Sequence, residues 1–186
     1  MNIKNVVLGF VMASCTVAVS AQMQDMQDPS VGGAPMYATK NIVENAVNSP
    51  IHKTLVAAVK AAGLVDTLSG PGPFTVFAPT DDAFGKLPEG TVDTLVKPEN
   101  KATLTKILTY HVVPGRVSSK QLIAAIKKGH GKYEMTTVQG GKLTASIADG
   151  KVVLTDEKGG TSTVTTADVF QSNGVIHVVD SVLMPN

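Results

Sequence analysis

A chain of 186 residues, 43% hydrophobic and 17% charged, is long enough for one globular domain with a sizeable core. Its formal charge of +1 creates no global field to gather nucleic acid, and with 4% aromatics and no Trp it is poor in platforms for stacking bases or sugars. The only cysteine is Cys15, so residues 22–186 must be held by packing without a disulfide, from a core mostly of Val, Leu, Ile and Ala.

The N-terminus has the form of a secretory signal. Lys4 precedes an apolar stretch from Val6 to Val19, too short to span a membrane comfortably, and Ala18-Val19-Ser20-Ala21 supplies small residues for cleavage after Ala21. Loss of residues 1–21 removes Lys4 and no acid, leaving 15 bases against 15 acids. The expectation is an exported protein, periplasmic or extracellular, with no transmembrane helix in its mature form. Met12-Ala13-Ser14-Cys15 offers an alternative in which Cys15 carries a lipid anchor, but apolar sequence continues past Cys15 and the usual Leu is missing. Residues 22–38 are polar and rich in Gly and Pro, predicting a flexible arm before a single domain at 39–186.

From Asn41 the pattern is helical, with Ile42, Val43, Ala46 and Val47 on one face. Ser49-Pro50 reads as the cap and first turn of a second helix carrying Ile51, Leu55, Val56 and Val59, ended by Gly63. A short turn at Leu64–Leu68 precedes the breaker SGPGP, and Phe74–Ala78 is a strand stopped by Pro79. A short helix follows Thr80; a longer one runs from Pro98 to Tyr110; Ser118 and Gln121 have capping-box spacing for a helix through Lys127. Tyr133–Val138, Lys142–Ala148, Lys151–Asp156, Thr161–Phe170 and Val175–Leu183 are strand-like, with turns at Gln139-Gly140-Gly141 and Asp149-Gly150. Helices mainly first and strands mainly last predict an α+β domain, and the early strand must join the late ones.

Three stretches carry the chemistry-bearing residues: TVFAPTDDAF at Thr75–Phe84, LTYHVVPG at Leu108–Gly115 and NGVIHVVDSVLMP at Asn173–Pro185. In order and spacing they resemble the fasciclin (FAS1) domain, over Thr39 to Pro185. The resemblance implies a compact β-sandwich or wedge with helices mainly from the N-terminal half, and an extracellular interaction module rather than a catalyst. It also implies an adhesive role for the Tyr-His region, which falls on Tyr110, His111, Val112 and Val113. With the helix opened by Ser118, these form the expected contact region.

Read on their own, the polar residues look structural. Thr80, Asp81 and Asp82 suit a helix N-terminus, where carboxylates meet free N–H groups and the positive end of the dipole, with Phe84 anchored in the core. Paired carboxylates also bind metals or act as acid and base, but no calcium-loop spacing follows them. His111 marks a helix–strand junction. Strand alternation places Val175, His177 and Val179 on one face and Ile176, Val178 and Asp180 on the other. Neither His111 nor His177 has a local partner His, so a metal site would need distant residues to converge. His52 and His130 look ordinary; Lys127–Lys132 is a small basic loop with at most a weak affinity for anionic polysaccharide. Met23, Met26 and Met36 are read as linker rather than as Cu(I) ligands. Gly-x-Ser-x-Gly, His-Glu-x-x-His and a phosphate-cradling Gly loop are all absent.

These readings lead to a non-catalytic adhesion domain that binds a protein or polysaccharide at the cell surface, with no cofactor and no metal. Two alternatives stand beside it: a binder of a small apolar ligand or lipid between helices and sheet, and a metal-dependent hydrolase using His111, His177 and an Asp.

Overall fold

The computed structural model describes residues 29–186. The expected signal, Cys15, Met23 and Met26 lie outside the described residues. Within them, β1 (Ser30–Val31) and β2 (Ala34–Pro35) form a hairpin across Gly32 and Gly33, both at positive φ. This hairpin revises the expected arm. Val31 and Met36 are buried in the core, so the packed region begins well before residue 39, and Met36 is a core side chain.

Among the described residues seven α-helices follow, all of them before the run of strands that begins at Lys132. α1 (Ile42–Asn48) starts on a full capping box between Asn41 and Glu44. α2 (Lys53–Ala62) begins after His52, not at Pro50; Ser49 closes α1 instead, and its hydroxyl meets His52 Nδ1 at 2.8 Å. Gly63 ends α2 in the left-handed region, where a side chain would be strained. α3 (Val65–Ser69), α4 (Asp81–Gly85) and α5 (Thr91–Leu95) are short. The predicted helix at Pro98–Tyr110 divides into a 3-10 turn, Pro98–Asn100, and α6 (Lys101–Tyr110). α7 (Ser119–Lys128) has the expected Ser118–Gln121 capping box.

The remaining strands are β3 (Phe74–Pro79), β4 (Val112–Pro114), β5 (Lys132–Thr136), β6 (Lys142–Ala148), β7 (Lys151–Thr155), β8 (Thr161–Gln171) and β9 (Gly174–Val179). They hydrogen-bond in the order β4-β3-β9-β8-β7-β6-β5. β3 and β9 run parallel; the other neighbours are antiparallel. Val138 N–H donates to the Val112 carbonyl at 2.7 Å, drawing the loop after β5 onto β4, so the two edges nearly meet. The α+β class holds: the early strand joins the late ones by pairing with β9, and the helices come mainly from the N-terminal half.

The core has two parts, one on each side of β3 and β9. Ile42, Leu55, Val59, Val76, Leu108, Ile176 and Val178 pack between the helices and one face of the sheet. Phe77, Tyr110, Leu122, Ile126, Leu143, Leu154, Val179 and Leu183 fill the inside of the curled sheet beneath α7. All six residues of β9 are buried, so its alternation divides two cores rather than core from solvent. Each large aliphatic side chain enclosed this way contributes about 1.5–3 kcal/mol.

Candidate functional site

Tyr110 ends α6 and His111 caps it, before the chain enters β4. The α6 periodicity that turns Leu104, Ile107 and Leu108 inward also carries Tyr110 into the core, where it is 0% exposed. Its hydroxyl donates to the Lys142 carbonyl at 2.6 Å and accepts from Glu157 N–H at 3.2 Å. Burial pushes that hydroxyl up to about 12. One phenol therefore joins α6 to β6 and to the turn after β7.

His111 is 2% exposed. Its Nδ1 lies 2.8 Å from the Ile107 carbonyl, which can only accept, so Nδ1 carries the proton. Its Nε2 lies 3.0 Å from Leu183 N–H, which can only donate, so Nε2 offers its lone pair. Burial depresses the imidazole to about 4 against the ordinary 6.5, and the ring is neutral at physiological pH. The chain beyond Leu183 is held in the same fashion. Met184 N–H donates to Asp156 Oδ2 at 2.9 Å and Asn186 N–H to Glu157 Oε2 at 3.3 Å. Asp156 Oδ1 also closes the β7–β8 turn by accepting from Lys158 and Gly160 N–H.

Val112 and Val113 are 4% and 5% exposed and face the two core halves. All four side chains expected to meet a partner are thus enclosed. The reason is in the packing: the segment after α6 is an edge strand against β3, yet Val112 turns into the core under the helices and Val113 into the core inside the curled sheet, so both its faces are covered.

His177 has the opposite tautomer. Its Nε2 donates to the Val117 carbonyl at 2.8 Å, and its Nδ1 accepts from Asp168 N–H at 3.3 Å. The ring stacks on Phe77, with centroids 5.6 Å apart, and burial lowers its pKa. Register breaks in β8 put Asp168 at φ 59, and its carboxylate accepts from the Ser119 N–H at 2.6 Å and from the Ser119 hydroxyl. This cluster ties the start of α7 to the sheet. Sequence reasoning did not single out Ser119 or Asp168; the one signal was an Asp inside a strand.

Thr80 caps α4 as expected, accepting from Ala83 N–H at 3.2 Å, and Phe84 is buried. Asp81 does something else: its Oδ1 accepts from Thr54 N–H at 2.8 Å, capping α2 from a distance. Asp82 stays exposed on the first turn of α4. Asp81→Ala is expected to cost about 1 kcal/mol, read as a lower urea midpoint, with Asp82→Ala closer to neutral. Asp180 Oδ1 accepts from Thr163 N–H at 2.8 Å, and Oδ2 stands 3.8 Å from the exposed Lys86 ammonium. Burial pushes the Asp180 carboxyl up, but the Thr163 N–H, Lys86 and the Ser181 hydroxyl outweigh it and hold it below its usual range.

The hydrolase reading loses its ligands on this geometry, because every ring nitrogen of His111 and His177 already has a backbone partner. Among the described residues no group of three or more His, Asp and Glu could hold a metal. The apolar-ligand reading meets a cavity of about 40 Å³ between α1, α2, α3, α6 and the sheet, lined by Ile42, Leu55, Val59, Leu68, Leu108 and His111. A lipid tail needs far more room; benzene fills an engineered cavity of about 150 Å³. Among the described residues no helix is long and apolar enough to cross a membrane.

A model of the fasciclin domain matches residues 50–185. Protein sll1483 of Synechocystis is 47% identical over 177 residues, 95% of this chain and 91% of the relative. Immunogenic protein MPB70 of Mycobacterium bovis is 41% identical, covering 75% of this chain and 66% of the relative. Transforming growth factor-beta-induced protein ig-h3 of Sus scrofa is 37% identical over 70% of this chain, which spans 17% of that protein. Among solved structures, a FAS1 domain pair from the insect cell adhesion molecule Fasciclin I superposes with a TM-score of 0.69 at 20% identity. It covers 78% of this chain, which spans 51% of the insect chain, one domain's worth of that pair.

Proposed function

Because the chain belongs to the fasciclin domain family, we propose that it is a non-catalytic interaction domain, exported and binding a protein or carbohydrate partner at the cell surface or in the surrounding matrix. The observation that carries this reading is the saturation of its chemistry-bearing residues. The motif histidines, Tyr110, Asp81 and Asp180 spend their polar atoms largely on backbone groups of the fold, which leaves the exposed Asp82 as the one uncommitted acid among the motif histidines and carboxylates. Fasciclin I, the insect protein whose domain pair shares this fold, is a cell adhesion molecule, which favours recognition over turnover. With the Tyr110–Val113 side chains enclosed, recognition falls to the exposed surface between the motifs.

The test is crosslinking in the source cell, followed by identification of the captured material. A reproducible partner at the envelope supports the reading. Recovery of the bare chain under conditions that capture a control envelope protein overturns it.

A further inference from the structure

Between the entry to β3 and the β8–β9 turn lies a cleft of about 350 Å³, lined by Pro71, Gly72, Pro73, Arg116, Ser172 and Asn173. Arg116 is the only arginine in the chain. Its Nη2 donates to the Gln171 carbonyl at 2.9 Å and to the Ser172 carbonyl at 3.4 Å. One corner of the guanidinium is thereby fixed, while a guanidinium has five N–H donors in a rigid fork. The ion pairs among the described residues are Lys86–Asp180 and Lys142–Glu134, so none of the described carboxylates stands within ion-pair distance of Arg116.

The walls are firm. A Cβ on Gly72 would stand 1.9 Å from the Asn173 carbonyl oxygen, so the two backbones touch there and only glycine fits. Asn173 Nδ2 donates to the Leu68 and Gly70 carbonyls, and its Oδ1 accepts from Ile42 N–H at 3.0 Å. Gly115 N–H donates to the Pro73 carbonyl at 2.9 Å, binding the Arg116 segment to the proline wall. A pre-oriented Arg outside any ion pair, set against an exposed proline rim, matches the make-up of interface hot spots, where Arg is enriched.

We infer that the Arg116 cleft is a docking site for an acidic peptide segment of a protein partner. A Glu or Asp carboxylate of the partner takes the open edge of the guanidinium, and flanking apolar residues lie on the exposed Pro71 and Pro73. Charge complementarity selects the carboxylate. The apolar rim selects a peptide over a polyuronate, whose rings carry hydroxyls on every side. This assignment rests on the reading of the chain as an interaction domain.

The probe is a capped peptide repeating Pro-Glu-Leu, titrated into the isotope-labelled chain by NMR, with its Gln-for-Glu counterpart and an oligoglucuronate as comparisons. The acidic peptide is expected to move the Arg116 Nε–H signal and the amides of Gly115, Ser172 and Asn173, and the Gln version to leave them in place. R116Q should weaken binding about tenfold or more, R116K by less, with unfolding midpoints near that of the parent chain. Absent or scattered shifts, equal binding by R116Q, or a response to oligoglucuronate alone overturns the proposal. Crosslinking capture in the source cell separates the two levels. Capture by R116Q equal to the parent's removes this site and spares the interaction reading, whereas no capture by the parent chain removes that reading itself.

Discussion

His111→Ala is expected to lower the unfolding free energy by about 3–5 kcal/mol, with the midpoint of urea unfolding falling accordingly. The substitution strands two buried groups at once. Leu183 N–H loses its acceptor, and the Ile107 carbonyl loses the Nδ1 proton. Each unpaired group costs about 1–3 kcal/mol, and the vacated ring leaves a cavity beside Leu108 and Val112. Tyr110→Phe is milder, at about 1–3 kcal/mol, since it removes the hydroxyl between Lys142 and Glu157 and keeps the ring. Against a typical domain stability of about 5–15 kcal/mol, such a loss leaves about 0–12 kcal/mol, so the folded fraction of the His111 variant depends on the parent's stability and is measured with it. Partner capture must therefore be compared per folded molecule. The structure predicts that capture per folded molecule is unchanged. A His111→Ala chain that keeps its midpoint but loses its partner would return the Tyr110–His111 pair to the recognition surface.

The second large effect is acid destabilisation. His52, His111 and His177 are all buried, and burial lowers the pKa of each below the 6.5 of a free imidazole. Carboxylates nearby oppose this in part: Asp81 for His52, Asp156 for His111 and Asp168 for His177. The unfolded chain takes up protons near pH 6.5 that the fold refuses, so stability is full above that value and falls as the pH drops below it. For His111 the loss continues down to about 4, where the folded ring itself protonates. Across that window His111 alone accounts for about 3 kcal/mol, and His52 and His177 act in the same direction. Glu157 and Asp180, held below their usual range, add a further loss at still lower pH as they protonate. Urea unfolding in steps between about pH 7 and pH 4.5 should show a steadily falling midpoint, and a flat profile would contradict the buried neutral state of these rings.

Much of the fold was legible because its signals are local. The Ser118–Gln121 box, Gly63 after a periodic run and the alternating strands after Lys142 each report on a few neighbouring residues. The site was less legible because its bonds join distant parts of the chain. Asp81 stands beside Thr80 and looks like a cap for its own helix, yet it caps α2 at Thr54, 27 residues away. Ser119 and Asp168 meet only because β8 bulges. Val112 and Val113 follow a helix in a way that suggests an exposed junction; that both faces of this edge strand are covered depends on its pairing with β3 and on core residues from distant parts of the chain, which no local pattern encodes. Nothing local marks Arg116 in a neutral chain, since its distance from the described carboxylates is a property of the folded surface.

The claim on which the rest depends is that the two motif histidines are neutral and fully engaged by the backbone. Correlation of ring nitrogens with ring protons by NMR at neutral pH tests it directly. The account predicts His111 protonated at Nδ1 with a bare Nε2, and His177 protonated at Nε2 with a bare Nδ1. Finding the same tautomer in both rings, or an imidazolium at either, would contradict it.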